Sequence, residues 1–438
     1  MNDNILKKIK DIIEGKDGQK IGSLYHVAEE ILEKKEMIIN LAKKHQTPFY
    51  IFDSKNLDSA VNSFYDAFSE NLPRFKPYYP VKINHHPFIL KHLVKHDFGL
   101  DVASSREIDL AIKSACKDMV YFSPGKTDDD LMKLMDNSKI ITVNIDSFNE
   151  LRKIGVLSNK FKKKIRAGVR IHTDSYGDWK KYGINLVDLY KFWDESKKFS
   201  YINLCGIHFH SSRHGEADFY EKTIKEVGEY LVKNFTAKFL KELEFFDFGG
   251  GFEVFNSEGI YPWKTAKGSI LALANQDVDV KKVFSEKFYI REALSIEKYA
   301  EKIGNAILSY IEPLNPGKII YYAESGRYIV NNAMHIVLSV VDVKDGQNII
   351  VNGGVNMVGW QRYEYEYFPL VNISHPSPSE INCNVWGNLC TTWDIWGYYC
   401  YASKFKEGDL IVVPNQGTLT YSLAQNFINK IPSVYKLF

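Results

Sequence analysis

The chain has 438 residues, more than one small core requires, and its 45% hydrophobic and 25% charged content is that of a globular protein rather than a disordered or fibrous one. A formal net charge of +2 gives no electrostatic case for nucleic acid or a membrane surface, which leaves small molecules as the expected partners. Five scattered cysteines (Cys116, Cys205, Cys383, Cys390, Cys400) show neither metal-ligand spacing nor a disulfide framework, and with no apolar leader or span a cytoplasmic setting is expected.

Residues 1–46 alternate charged runs with Ile5, Ile9, Ile12 and Ile13, then Val27, Ile31 and Leu32, at helical spacing; they are expected to form a helical extension packing with a C-terminal domain. From Thr47 to Phe52 a strand-like run precedes Asp53 and Ser54, good helix N-caps, so a strand–helix repeat is expected to begin at 47. Strands then recur at Tyr78–Val81, Gly99–Val102, Met119–Phe122, Ile140–Ile145, Ile165–Ile171, Leu204–Phe209, Leu243–Phe248 and Ile319–Ala323. Helical segments such as Arg106–Lys117, Asp128–Met135, Ser147–Lys153 and Phe219–Val232 separate them, the alternation of a parallel (β/α)8 barrel of the TIM type. The barrel is expected over 47–325, with an insertion at about 253–295 as a lid and a helix over Ser285–Leu308. After Gly326 strand patterns dominate (Tyr328–Asp342, Asn348–Asn352, Glu380–Val385, Asp409–Val413), which predicts a β domain over 326–438.

In such a barrel the C-terminal strand ends form one face, and here they carry Lys82, Asp101, Arg170, His210, Gly249-Gly250-Gly251 and Glu324. A strand-end lysine is ordinarily a solvated surface group, yet in a desolvated pocket its amine can attack a carbonyl to form a Schiff base. Three glycines after a strand suit close approach of backbone N–H groups to a phosphate, although a tight turn needs them too. Glu324 and Arg327, in Ala323-Glu324-Ser325-Gly326-Arg327, are either a surface ion pair or a carboxylate for a protonated ring nitrogen and a guanidinium for phosphate. Together these groups describe pyridoxal 5'-phosphate. His208 and His210 alternate along a strand with His214 nearby, so a metal site is the competing reading of that segment.

With these motifs in order, the chain resembles the barrel-type (fold type III) pyridoxal-phosphate decarboxylases that include the diaminopimelate and ornithine enzymes. Tyr78-Tyr79-Pro80-Val81-Lys82-Ile83-Asn84 resembles the cofactor-lysine motif, Asp247-Phe248-Gly249-Gly250-Gly251-Phe252 the phosphate glycines, and Ala323-Glu324-Ser325-Gly326-Arg327 the Glu and Arg motif. Trp386-Gly387-Asn388-Leu389-Cys390 is similar to the catalytic cysteine loop. The resemblance implies an alanine-racemase/decarboxylase-like fold, Lys82 as the Schiff-base lysine, Glu324 on the pyridine nitrogen, and Gly249, Gly250, Gly251 and Arg327 on the phosphate. It further implies that Asp101 sits near the lysine, that His210 stacks on the ring, and that Cys390 protonates the substrate carbon across a homodimer interface. Lys181-Tyr182-Gly183 and Arg170 resemble a decarboxylase segment rather than a racemase.

Departures fall where such enzymes recognise substrate. Thr391 and Thr392 follow the cysteine where an acid is usual, with acid only at Asp394; Arg213 aligns with the family's serine; Gly417-Thr418-Leu419 moves the nearest tyrosine to Tyr421; and Val355-Asn356-Met357 replaces an aspartate after Gly354. Arg170, Arg213, Arg362, Thr391 and Asp394 are therefore candidate substrate contacts. The expectation is a decarboxylase of an amino acid or amino-acid-derived substrate; the alternatives are a racemase on the same cofactor and a metal-dependent hydrolase on the same barrel.

Overall fold

Short apolar runs buried on both faces are what a parallel sheet wrapped in helices requires. The computed structural model describes residues 3–15, 20–173, 181–211, 217–254, 257–274, 280–291, 293–359 and 362–438. It divides into two compact units, one of Leu57–Glu253 and Leu294–Val330, the other of Met1–Asn56, Val254–Ala293 and Asn331–Phe438.

The first unit is the barrel. Its strands are Phe75–Pro80, Gly99–Val102, Met119–Tyr121, Ile141–Ile145, Ile165–His172, Ile202–His208, Phe245–Asp247 and Ile320–Glu324. Each is parallel to its neighbours, and Ile320–Glu324 closes the ring by pairing with both Phe75–Pro80 and Phe245–Asp247. Inside, Tyr78, Val120, Cys205, Phe245 and Tyr322 come together from five strands, with Phe245 and Tyr322 stacked at 4.9 Å, so the barrel is filled rather than hollow. Polar side chains start the helices soon after the strands end. Ser104 accepts from Glu107 N, Thr127 forms a reciprocal capping box with Asp130, and Ser147 accepts from Glu150 N.

The second unit holds a sheet in the order Asn348–Val351, Glu380–Trp386, Ile395–Tyr401, Leu370–Asn372, Leu410–Val413, Met334–Lys344, Phe49–Phe52 and Val434–Lys436. Asn348–Val351 also pairs with Met334–Lys344, which closes the first six strands into a ring. Phe49–Phe52, expected to open the barrel repeat, is instead a strand of this sheet, antiparallel to Met334–Lys344 with Phe49 opposite Val337. All four of its residues are buried, so no period distinguishes it from a barrel strand. The helices Tyr25–Glu33 and Lys35–Lys44 place Ala28, Ile31 and Ile38 in one core with Phe49, Ile51, Val337, Val371 and Val412.

Two further expectations change. The segment expected as a lid is woven into this second unit: Gly259–Ile260 pairs with Tyr289–Ile290 and Glu366–Tyr367 around Tyr261, Trp263, Phe288 and Tyr367. The helix expected from Ser285 starts only at Ile296 and runs to Tyr310, and Arg327–Val330 is a helical turn before the strand that starts at Met334.

Candidate active site

Lys82 lies in the 3-10 turn Val81–Ile83, directly beyond the strand Phe75–Pro80. The turn is anchored on its far side, because Tyr79 Oη donates to Asn84 O at 3.1 Å and buried Asn84 accepts from His86 N through Oδ1 at 3.1 Å. The lysine side chain is exposed in the isolated chain, and its charge acts on Asp101, Glu107 and His210.

Across the barrel mouth a buried polar cluster joins five strand ends. Arg170, 4% exposed, donates from Nη1 to His208 Nε2 at 2.8 Å and from Nη2 to His210 O at 3.3 Å. Glu324 sits between the two imidazoles, 3.5 Å from His208 Nε2 and 3.5 Å from His210 Nδ1. Asp247 Oδ1 accepts Gly249 N at 2.9 Å, and Asp247 Oδ2 accepts Asn144 Nδ2 at 3.3 Å. Three carboxyl groups in one desolvated cluster do not all stay ionised. Burial, reinforced by the Glu324 charge, pushes Asp101 and Asp247 well above the usual carboxylate range. Burial pushes Glu324 the same way, but His208 and His210 override it and hold Glu324 well below that range. His208 is itself held neutral by burial, down to about 4, with Arg170 adding to the effect. Of the three carboxyls, Glu324 is the one whose surroundings draw it toward the anion.

The glycine turn is packed against the Glu324 backbone. Gly249 has φ +70° and Gly251 φ +116°, and a Cβ on Gly250 would lie 2.0 Å from Glu324 O. Glu324 N donates to Gly249 O at 2.8 Å, Gly250 N to His210 Nδ1 at 3.0 Å, and Tyr220 Oη to Gly250 O at 2.6 Å. Arg327, half-buried, begins the short helix that follows Glu324.

Among the described residues the structure therefore brings together Asp101, Arg170, His210, Gly249–Gly251 and Glu324, with the Lys82 charge acting on the cluster. Arg170 is buried and gives both of its Nη groups to His208 and His210, with Nε left unpartnered. Arg213 lies outside the described residues, and Arg362 opens the helical turn Arg362–Tyr365 with its side chain outside the description. In the second unit Cys390 is exposed, Thr391 half-buried, and Tyr421 packs edge-on against Tyr50 at 5.5 Å. Asp394 faces inward, 3% exposed, and accepts Val355 N at 2.8 Å and Leu389 N at 2.6 Å, so it shapes the cysteine loop from within. Sequence reasoning gives Asp247 no role and His208 only that of a metal ligand, although one precedes the glycines and the other stands two residues before His210.

The metal reading meets a specific obstacle. His208, Asp247 and Glu324 do lie close enough to share an ion. Yet the His208 Nε2 lone pair, the one facing Glu324, already accepts from the Arg170 guanidinium, and that positive charge opposes a cation there.

Comparison with known proteins agrees with the geometry. The family model for the pyridoxal-binding domain of pyridoxal-dependent decarboxylases matches residues 58–331. The chain belongs to the pyridoxal-dependent decarboxylases. A diaminopimelate decarboxylase of Methanothermobacter thermautotrophicus is 22% identical over 403 residues, 89% of this chain and 86% of that protein. An ornithine decarboxylase of Candida albicans is 26% identical over 374 residues, 81% of this chain and 64% of that protein. Among solved structures, diaminopimelate decarboxylase from M. jannaschii in complex with L-lysine has TM-score 0.72 at 21% identity, covering 91% of this chain and 89% of that one. Lysine/ornithine decarboxylase from Vibrio vulnificus in complex with cadaverine has TM-score 0.71 at 20% identity, covering 93% and 97%. These likenesses establish the barrel-plus-β fold, and the family fixes the cofactor as pyridoxal phosphate and the activity as amino-acid decarboxylation.

The residues present fit that cofactor. Buried polar atoms without a hydrogen-bond partner gather at the strand ends, including Arg170 Nε, His208 Nδ1, Glu324 Oε1 and Ser325 Oγ, as expected where a polar ligand completes a site. Glu324 has the charge a protonated pyridine nitrogen needs, and the glycine turn has no room for side chains.

Proposed function

We propose that the enzyme removes the α-carboxylate of an amino acid or amino-acid-derived substrate, with Lys82 as the cofactor's covalent attachment point. Glu324 pairs with the pyridine nitrogen, His210 lies against the ring, Asp101 stands beside Lys82, and Gly249, Gly250, Gly251 and Arg327 hold the phosphate, with Tyr421 a further cofactor contact. Pyridoxal phosphate, when bound, supplies the sink that accepts the electron pair left by the departing carboxylate. The observation that carries this reading is the buried Glu324, set between His208 and His210 at the strand ends with the glycine turn packed on its backbone. Arg170 acts through others, fixing His208 in the tautomer whose Nε2 accepts and buttressing the His210 backbone.

Cys390 is the proton donor to the substrate carbon, reaching the site of a second copy in a homodimer; its exposure leaves the thiol available for that role. A cytoplasmic location suits the unpaired cysteines, and no helix among the described residues is long and apolar enough to cross a membrane. Substrate choice has moved away from a distal amine. Thr391 and Thr392 carry no charge, Asp394 is turned inward, and Arg213 and Arg362 supply cations for a carboxylated distal end.

The test is carbon dioxide release from a panel of acidic, basic and carboxylated amino acids by the wild type, Lys82→Ala, Arg213→Ala and Arg362→Ala. Release abolished by Lys82→Ala, with a preference for acidic substrates weakened by the arginine variants, is expected. Unchanged preference in both arginine variants would discard the substrate assignment while leaving the decarboxylase reading intact.

A further inference from the structure

Away from the strand ends, two barrel helices bring a second set of donors together. His92 lies on the helix Pro87–Lys95 and His96 caps its C-terminus, so the two imidazoles stand one turn apart, centroids 4.9 Å and planes 29° from each other. Both aim Nε2 at the same oxygen of Asp58, on the helix Ser54–Asn71: His92 Nε2 is 2.6 Å and His96 Nε2 3.0 Å from Asp58 Oδ1. The side chains remain open to solvent, at 22%, 34% and 41% exposure for His92, His96 and Asp58.

We infer that Asp58, His92 and His96 form a binding site for a divalent transition-metal ion of the zinc class that staples these two helices. Two imidazole nitrogens and one carboxylate oxygen are the donors zinc takes, and three protein ligands leave a position for water. The three ligand atoms lie within 4.8 Å of one another. Tetrahedral coordination at the usual bond lengths separates ligand atoms by about 3.3 Å. Binding therefore asks His92 and His96 to draw back from Asp58 Oδ1 by about 0.7 and 0.3 Å, within reach of partly exposed side chains. The Nε2 proton that each imidazole gives to Asp58 Oδ1 moves through solvent to Nδ1 and frees the Nε2 lone pair for the ion, so two hydrogen bonds are exchanged for coordination bonds and no redox step is involved. Hard cations such as magnesium prefer oxygen donors and are poorly matched to a histidine pair. Because His86 caps the start of the same helix shortly after Lys82, the ion fixes the far end of the helix that the cofactor lysine's turn leads into.

The experiment is calorimetric titration of tag-free, chelator-treated holoenzyme with zinc chloride, paired with thermal melting. Holoenzyme is used because bound cofactor occupies the other cluster with metal-capable spacing. Stoichiometric zinc binding, a raised melting temperature, and affinity weakened at least about tenfold by His92→Gln or by Asp58→Asn are expected. Asp58→Asn keeps a hydrogen-bond acceptor, so a loss confined to zinc affinity separates coordination from folding. Absence of stoichiometric binding, or undiminished binding by the His92→Gln/His96→Gln double variant, would overturn the site.

Discussion

The barrel's strand ends and the Gly387–Asp394 loop of the β unit are both built around buried carboxylates, but those carboxylates do opposite work. In the barrel, Glu324, Asp247 and Asp101 come from three strands; Glu324 stands against two histidines far away in sequence, Asp247 accepts the Gly249 amide beside it and the amide of distant Asn144, and several polar atoms are left unpartnered. In the loop, Asp394 spends both oxygens on backbone amides of its own unit, and Gly387 N donates to Asp394 O at 3.0 Å, so the loop is self-contained. One region is pre-organised to receive a ligand; the other is pre-organised to present Cys390 and its neighbours. Such a division lets the surface of the loop change with substrate while the cofactor end is held by buried geometry.

The comparison predicts different consequences of damage in each region. Cys390→Ala should cost about a hundredfold or more in kcat, with the cofactor absorbance unchanged, because the proposed role removes only a proton donor. Steady-state rates beside a spectrum check this; cofactor loss in the variant would place Cys390 in the binding machinery instead.

Acid should act on the barrel end through His208. Its folded value of about 4 lies below the ordinary 6.5, so the unfolded chain takes up the proton first. Stability from the buried neutral imidazole is complete above about pH 6.5 and is lost as pH falls toward 4, on the order of 3 kcal/mol in all. Denaturant midpoints measured across that window should show a shallower fall in His208→Gln. His335, also held down to about 4 by burial, gives the β unit a loss of the same sign and keeps part of the slope in that variant.

The smallest effect is the most informative about the loop. Asp394→Ala strips the acceptor from Val355 N and Leu389 N and should lower stability by about 2 kcal/mol. The cofactor spectrum should remain as in the wild type. If stability is retained and only KM for basic substrates rises, Asp394 is a substrate contact and the contrast between the two regions fails.

Much of the barrel is legible in the sequence because its strands are buried on both faces and read as short apolar runs such as Met119 to Tyr121 and Leu204 to Ile207. Phe49–Phe52 reads the same way but pairs with Met334–Lys344, nearly three hundred residues on, and local pattern carries no record of such a partner. The strand Ile395–Tyr401 was hidden among the aromatic residues after the cysteine loop for a similar reason. Site residues with fixed backbone demands, such as Gly249 to Gly251, announce themselves by composition. Arg170 did not, since an arginine at a strand end looks like a ligand contact until His208 is found on its guanidinium. Asp394 looked like a displaced specificity residue until its two amide partners placed it inside the loop.

The central claim, that Lys82 carries the cofactor at the mouth of this barrel, is tested most directly by borohydride reduction of the holoenzyme followed by peptide mass mapping. A phosphopyridoxyl mass on the peptide containing Lys82, and on no other lysine, is the predicted result. A label on a different lysine, or none on a yellow, active preparation, would contradict it.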